Sequence, residues 1–244
     1  MNAMNYDLVI IGSGPAGQKA AIAAAKARKR VAVIDKTTMI GGVCVHTGTI
    51  PSKAVREAIL QLTGFAVKAL YGDTYGGSGD ISVEDLSLRV NTIIGRETQV
   101  IRAQLKRNGV SIHQGAAQFL DAHIIEVQSD NGDTTKLEAE KILIACGTRP
   151  ARSAEIPFDD HRVVDTDHLG LGQIPREIII VGAGVVGLEY ASFMAALDVD
   201  VILIDQRPIF VTVHVPYRGE GSVALGRRDG TGWQSRWQDT AAPR

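Results

Sequence analysis

The sequence predicts an α/β fold in which helices join parallel strands. The main observation is a unit of strand, glycine-rich turn, helix and strand that occurs twice, over residues 7–35 and again over residues 177–205. Parallel neighbours need a crossover connection of this kind, usually a helix. A second observation is the share of hydrophobic residues, 45% of 244, which is enough for a substantial core. We therefore expect two units built on parallel sheets.

The other elements are predicted from the spacing of apolar residues. In the first unit, strands are expected at residues 7–11 and 30–35, with a helix at 16–28. Helical spacing predicts longer helices at 52–70 and 86–107, on either side of a glycine-rich bridge at 71–80. Short runs broken by turn residues predict small antiparallel strands at 110–113, 116–119, 124–128 and 134–137, followed by a buried strand at 141–145.

The first unit carries a motif typical of dinucleotide-binding domains. Gly12, Gly14 and Gly17 have the spacing G-x-G-x-x-G, directly after a strand and at the start of a helix. Gly12 permits a tight turn, Gly14 lets the main chain approach a pyrophosphate, and Gly17 lets the helix pack close to the strand. Pro15 and Ala16 lie in the helix's first turn, which faces the phosphates. We call residues 12–17 the first cradle and predict a Rossmann-like nucleotide site there.

An acidic residue is placed to complete this site. Asp35 ends the next strand and is followed by Lys36. A carboxylate at this position can accept hydrogen bonds from ribose hydroxyls. Both residues are therefore predicted to bind the cofactor.

The second unit repeats the pattern, and we call residues 182–187 the second cradle. Its predicted nucleotide-binding residues are Gly182, Gly184, Val185, Val186, Gly187 and Asp205. Asp205 favours a free 2′-hydroxyl and hence NAD, whereas Arg207 can accommodate the 2′-phosphate of NADP. Two nucleotide sites in one chain suit hydride transfer through a bound carrier, and the choice between NAD and NADP stays open.

Charge and cysteine content exclude several other functions. Lys and Arg number 26 against 27 Asp and Glu, so there is no basic field for nucleic acid or an anionic membrane. The first apolar run, residues 8–11, is too short for a signal core or a membrane span. Cys44 and Cys146 are the only cysteines and do not form a secreted disulfide pattern. We expect a cytoplasmic protein and predict no metal site.

The stretch from Gly41 to Lys53, GGVCVHTGTIPSK, resembles the redox-active segment of the flavoprotein disulfide reductases. Those enzymes carry two cysteines five positions apart beside the flavin. Here Cys44 occupies the first position and Thr49 the second, so no local disulfide can form. Within the family, the soluble pyridine nucleotide transhydrogenases are most similar in this respect. The resemblance implies FAD as the bound cofactor and Gly42 as one of its contacts.

The resemblance also implies a charge pair. The lysine of Pro-Ser-Lys, here Lys53, lies by the flavin in the family and pairs with a glutamate after the nicotinamide cradle, here Glu189. A cation beside the flavin would stabilise negative charge that develops there. Cys44, Thr49, Lys53 and Glu189 are the catalytic candidates, although packing near the flavin explains Cys44 better than a redox role does.

Two further flavin contacts are expected by analogy. The segment Ala145-Cys146-Gly147 resembles the Ala-Thr-Gly segment of the family, which lies near the flavin pyrophosphate, with Cys146 replacing threonine. Gly147 and Ala116 are therefore included among the cofactor-binding residues.

The resemblance runs from about residue 5 to residue 205. It predicts an FAD-binding domain at 1–160, part of an NAD(P)-binding domain at 161–205, and an atypical tail without regular structure at 206–244. The abrupt change suggests a truncated or frameshifted reading frame. Full-length relatives are expected to be homodimers formed through an interface domain that is not found here.

The predicted function is FAD-dependent hydride transfer between NADPH and NAD, with nicotinamide nucleotides as the substrates. Two alternatives stay open: a disulfide reductase, such as a dihydrolipoamide dehydrogenase, that lacks its second cysteine, and a non-catalytic FAD-binding fragment.

Overall fold

The computed structural model describes residues 4–36, 38–62, 83–168, 174–197, 199–205, 223–229 and 232–236. The chain divides into two compact units, Met1–Ala54 with Val90–Leu169, and Val55–Arg89 with Gly170–Arg244. Each unit has its own sheet, and each is described by itself below. The domain limits at residues 160 and 205 stay predictions.

The first unit is built on a six-stranded mixed sheet. Its strands are β1 (Met4–Ile11), β2 (Val31–Asp35), β3 (Ser111–Gln114), β4 (Ala116–Phe119), β5 (Ile124–Gln128) and β6 (Thr134–Ile144). They lie in the order β3-β2-β1-β6-β5-β4. The strands β3, β2, β1 and β6 are parallel neighbours. The strands β5 and β4 continue the sheet beyond β6 with antiparallel pairing. The predicted α/β class with a parallel sheet and a small antiparallel meander is confirmed.

Four helices precede β3 in the described part of the chain. They are α1 (Pro15–Lys26), α2 (Val43–His46), α3 (Thr49–Leu62) and α4 (Val83–Arg107). Pro15 suits the first helical position because its missing N–H would have no partner there. The predicted helix at 52–70 is observed as far as Leu62, and its remainder and the bridge at 71–80 lie outside the described residues.

The structure corrects two strand predictions. The run at 110–113 corresponds to β3, which is parallel to β2 and is not part of the antiparallel meander. The runs at 134–137 and 141–145 are parts of one strand, β6, which pairs with β1 on one side and β5 on the other. Charged residues interrupt the apolar run, but they point outward: Glu138 and Glu140 are exposed while Ala139 between them is buried.

The two faces of the sheet are covered separately. Ile10, Val31 and Val33 belong to a core cluster that includes Ala21 of α1 and Leu105 of α4. Their strand neighbours form a second cluster on the opposite face, consisting of Val9, Ala32, Ile34, Ile125, Val127, Leu137 and Ala139. Successive side chains of a strand point to opposite faces, so β1 and β2 serve both clusters and are buried on both sides.

The second unit contains the repeated strand, helix and strand. It comprises β7 (Glu177–Val181), α5 (Val185–Ala196), β8 (Asp200–Ile204), β9 (Val223–Asp229) and β10 (Gly232–Arg236). The sheet order is β10-β9-β8-β7, with β7, β8 and β9 parallel and β10 antiparallel. No strand was expected at β9 and β10, because their sequence lacks apolar alternation. Main-chain hydrogen bonds to a neighbouring strand do not require that alternation.

A histidine in the first sheet has an unusual environment. Nε2 of His113 on β3 lies 3.0 Å from the hydroxyl of Tyr6 on β1, and the two rings meet edge to face. Burial lowers the pKa of His113 below its usual 6.5.

This environment predicts a pH dependence of stability. Because the pKa of His113 is depressed only in the folded chain, the unfolded chain binds more protons as the pH falls through 6.5. The free energy of unfolding, measured by urea denaturation, should therefore decrease from about pH 8 to about pH 5. His113→Gln should flatten this decrease, whereas His161→Gln, at an exposed histidine, should not. Equal pH profiles in the wild type and in His113→Gln would contradict the prediction.

Candidate dinucleotide-binding sites

The first cradle depends on two close contacts that leave no room for a side chain. Gly12 has φ +106°, and a Cβ atom added to it would lie 2.2 Å from the carbonyl oxygen of Ala145. A Cβ atom added to Gly17 would lie 2.0 Å from the carbonyl oxygen of Gly12. Both distances are impossible for real atoms, so the turn after β1 and the packing of α1 each require glycine.

The N-terminus of α1 has no side-chain cap. Gly14 is the N-cap residue and contributes no hydrogen bond from a side chain. Gly42 packs on it closely: with φ +68°, an added Cβ at Gly42 would lie 2.8 Å from the Cα atom of Gly14. Pro15 and Ala16 are exposed beside it. The first-turn amides that such a helix leaves without partners are suited to a pyrophosphate.

Asp35 is held from two directions by main-chain and side-chain donors. Oδ2 accepts hydrogen bonds from the N–H of Ser13 at 2.6 Å and from its hydroxyl at 2.5 Å, and Oδ1 accepts one from the N–H of Lys36 at 2.8 Å. An ionised carboxylate has about four acceptor sites, so one further donor such as a ribose hydroxyl can be accommodated. The role of Asp35 toward ribose stays a prediction.

Sequence analysis did not identify Ser13. Its side chain is completely buried, and its hydroxyl oxygen also accepts a hydrogen bond from the N–H of Gly41 at 2.9 Å. The residue occupies a variable position of the glycine motif, and its polar character next to a strand end was the available signal.

The segment that resembles the redox-active region forms two consecutive helices. Cys44 lies in α2 and is half-buried, while Thr49 begins α3 and is exposed. Lys53 is exposed four residues further along α3, so it lies on the same helix face as Thr49. Nε2 of His46 lies 3.0 Å from the carbonyl oxygen of Ile40. A carbonyl only accepts, so this nitrogen carries a proton and ties α2 to the preceding loop.

Both cysteines have free thiols. Cys44 is half-buried and Cys146 is exposed. The sequence contains no other cysteine, and neither of these two is disulfide-bonded.

The two contacts expected by analogy lie beside the first cradle and its acidic residue. The N–H of Ala145 donates to the carbonyl of Ile11, which places Cys146 and Gly147 just after the strand that borders Gly12. The N–H of Gly115 donates to the carbonyl of Asp35, so Ala116, the first residue of β4, lies next to the end of β2. Both Gly147 and Ala116 are exposed.

The second cradle repeats the geometry of the first. A Cβ atom added to Gly187 would lie 1.9 Å from the carbonyl oxygen of Gly182. Gly184 is an N-cap residue without a side-chain cap, and Val185 and Val186 follow it exposed. Oδ2 of Asp205 accepts a hydrogen bond from the N–H of Ala183 at 2.7 Å. In both units, therefore, the N–H of the second cradle residue donates a hydrogen bond to the acidic residue at the strand end.

The predicted catalytic residues are divided between the two units. Cys44, Thr49 and Lys53 belong to the first unit, and Glu189 lies half-buried on α5 in the second. The pairing of Lys53 with Glu189 stays a prediction.

A cluster of charges organises the segment after Gly147. Arg152 bonds to Asp165 through Nε at 2.7 Å and to Asp160 through Nη2, and Nδ1 of His168 lies 2.6 Å from Asp165. Burial acts to raise the pKa of Asp165, but hydrogen bonds from His168 and Arg152 outweigh it and lower the pKa to about 2. These contacts of Asp165 are with other residues of the chain itself.

Comparison with known proteins identifies the family. The model of the pyridine nucleotide-disulphide oxidoreductases matches residues 6–218, which include both cradles and both acidic residues. The chain belongs to this family. The match extends beyond residue 205, where the resemblance was expected to end.

The chain is similar to two soluble pyridine nucleotide transhydrogenases. It is 48% identical over 204 residues to that of Mycobacterium tuberculosis, covering 83% of this chain and 44% of the relative. It is 42% identical over 208 residues to that of Ectopseudomonas mendocina, covering 85% of this chain and 45% of the relative. The chain thus spans less than half the length of these curated relatives.

Solved structures of the family have the same fold. LpdA from Mycobacterium tuberculosis aligns with a TM-score of 0.74 at 26% identity, over 97% of this chain and 56% of that one. The HOCl-induced flavoprotein disulfide reductase RclA from Escherichia coli aligns with a TM-score of 0.71 at 23% identity, over 98% and 54%.

Membership of this oxidoreductase family implies binding of FAD and NAD(P). The residues present suit such groups. In each cradle the N-cap residue of the helix is a glycine, which provides no side-chain hydrogen bond to the first amides, so these amides suit a phosphate. In the described part of the chain, no helix combines the length and apolar character needed to cross a membrane.

We predict that replacing a helical glycine by alanine has opposite effects on stability at Gly17 in the first cradle and at Gly95 in α4. Gly17→Ala forces a Cβ atom against the carbonyl of Gly12 and should lower the free energy of unfolding by about 1–3 kcal/mol. Gly95→Ala in α4, where an added Cβ meets nothing within 4 Å, should raise it by up to about 1 kcal/mol. Urea denaturation measures both. An unchanged stability of Gly17→Ala would show that the close contact is not required.

Proposed function

We propose that this chain binds FAD at the first cradle and a nicotinamide nucleotide at the second, and that it serves FAD-dependent hydride transfer between NADPH and NAD. The names of the relatives, soluble pyridine nucleotide transhydrogenases, support a reaction between pyridine nucleotides. The observation that carries the proposal is Thr49, which stands where a disulfide reductase has its second cysteine.

The absence of a second thiol weighs against dithiol chemistry. Thiol–disulfide exchange within the chain needs a second sulfur to resolve the mixed disulfide. Thr49 provides a hydroxyl in its place, and the other cysteine, Cys146, lies in a separate segment after β6. Nucleotide-to-nucleotide transfer needs no thiol, so this arrangement favours it over a disulfide reductase that has lost a residue.

The first cradle supplies the contacts for FAD. The uncapped amides after Gly14 would hold the pyrophosphate, with Gly42 closing over that helix end. Asp35 and Lys36 would contact the adenosine ribose. Gly147 lies shortly after the end of β6, and Ala116 lies next to the end of β2. When bound, FAD supplies the group that accepts two electrons from one nucleotide and passes them to another.

Lys53 is proposed to act electrostatically. Its ammonium group would stabilise negative charge that develops beside it, and Glu189 would orient it. Both residues keep the roles implied by the family resemblance.

The second cradle would hold the exchanging nucleotide. Asp205 suits the 2′-hydroxyl of NAD, and the use of NADP requires a cation such as Arg207. A cytoplasmic location and the homodimer expected for full-length relatives are further predictions.

The experiment uses the purified full chain supplied with FAD. We expect flavin absorption bands that bleach when NADPH is added without oxygen and recover when NAD is added. Transfer from NADPH to an NAD analogue with a distinct reduced absorption should be catalysed, whereas lipoamide should not be reduced. Lys53→Met should lower the transfer rate about tenfold or more while FAD still binds.

Lys29→Met provides the matched control, since Lys29 is an exposed lysine outside both cradles. Its transfer rate should equal that of the wild type. FAD bands that NADPH does not bleach would overturn the proposal and favour a non-catalytic FAD-binding protein, and turnover of lipoamide would favour the disulfide reductase.

A further inference from the structure

The hydroxyl of Ser13 joins three segments that the sequence separates. It donates to Oδ2 of Asp35 at the end of β2 and accepts from the N–H of Gly41, while Ser13 itself belongs to the first cradle. The side chain is completely buried, so water cannot replace either bond. One hydroxyl therefore bonds both to the acidic residue and to the loop that brings Gly42 onto Gly14.

The second cradle shows that this hydroxyl is not needed to form a cradle. Ala183 occupies the position of Ser13, and its N–H donates to Asp205 as that of Ser13 donates to Asp35. The close contact of Gly187 with Gly182 is also the same as that of Gly17 with Gly12. The turn, the helix start and the main-chain bond to the acid all form with a methyl group at this position.

The bond from the Ser13 hydroxyl has a further consequence for Asp35. A hydrogen bond to a carboxylate is stronger than one between neutral groups, and it limits rotation of the carboxylate. A group that is already oriented loses less entropy when a ligand binds. A carboxylate oriented in advance therefore binds ribose hydroxyls more tightly than one that rotates freely.

We propose that Ser13 is a positioning residue that orients Asp35 toward the adenosine ribose of the cofactor in the first cradle. Through Gly41 it also holds the loop that closes over the pyrophosphate end of the site. The proposal rests on the assignment of FAD to the first cradle, and it gives a physical reason why that cradle retains its nucleotide while the second can exchange one.

The test measures FAD affinity of the full chain by flavin fluorescence, and then competition by ADP and by 2′,3′-dideoxy-ADP. Ser13→Ala should weaken FAD binding about tenfold, as expected for loss of one hydrogen bond to a charged group. In the wild type, ADP should compete better than the dideoxy compound, and in Ser13→Ala this preference should shrink. If Ser13 only supported the fold, Ser13→Ala would weaken the binding of ADP and of dideoxy-ADP equally.

Two further variants complete the design. Asp35→Ala should abolish the preference for ADP. Ser192→Ala is the matched control, because its hydroxyl donates within α5 to the carbonyl of Leu188 at 2.8 Å, outside the first cradle, and its removal should leave FAD affinity unchanged. If Ser13→Ala does not fold, Ser13→Cys takes its place, since a thiol is somewhat larger than the hydroxyl but donates only weakly.

The outcomes separate the two proposals. A wild type that binds no FAD overturns the proposed function and with it the role of Ser13. A wild type that binds FAD, with an unchanged preference for ADP in the Ser13 variant, overturns the role of Ser13 alone.

Discussion

The contact between the helix after each cradle and the turn before it is the constraint on which both sites depend. In the first unit the carbonyl oxygen of Gly12 occupies the space where a side chain of residue 17 would lie, and in the second Gly182 and Gly187 repeat this. This contact brings the helix N-terminus against the strand end. Uncapped amides consequently face the position where a pyrophosphate would bind.

The other residues of the candidate site in the first unit lie at one edge of the first sheet. β1, β2 and β6 are parallel neighbours, so their carboxyl ends lie along the same edge. Gly12, Asp35 and Ala145 are residues at these ends, and hydrogen bonds link each to a neighbouring strand or loop. Ligands of open α/β sheets bind at this edge, which is where the predicted cofactor-binding residues lie.

The two units share a cradle but differ in what surrounds it. Ser13 adds a buried hydroxyl between Asp35 and Gly41, whereas Ala183 leaves Asp205 with a main-chain donor from the cradle. This difference agrees with the proposed roles of the two units, a resident cofactor in the first and an exchanging nucleotide in the second. The glycine motif does not distinguish the two cradles, because both have the same glycine spacing.

The sequence by itself determined the repeated unit, the glycine positions and the acid at each strand end. These features are local: glycine spacing, apolar runs and the residue that follows a strand all lie within one supersecondary unit. The Cys44 and Thr49 pattern was also readable, because a local disulfide needs a second thiol whatever the fold. The family match from residue 6 to 218 covers both glycine motifs and both acidic residues.

Only the tertiary structure decided the direction of β3, the continuity of β6 and the contacts of Ser13. An apolar run has no direction until its partner is known, and β3 pairs with β2 at a distance of some 80 residues along the chain. The exposed Glu138 and Glu140 concealed a single strand, because burial of alternate residues is visible only against a neighbour. Ser13 acquires its importance from Asp35 and Gly41, which approach it only when β1 and β2 pair.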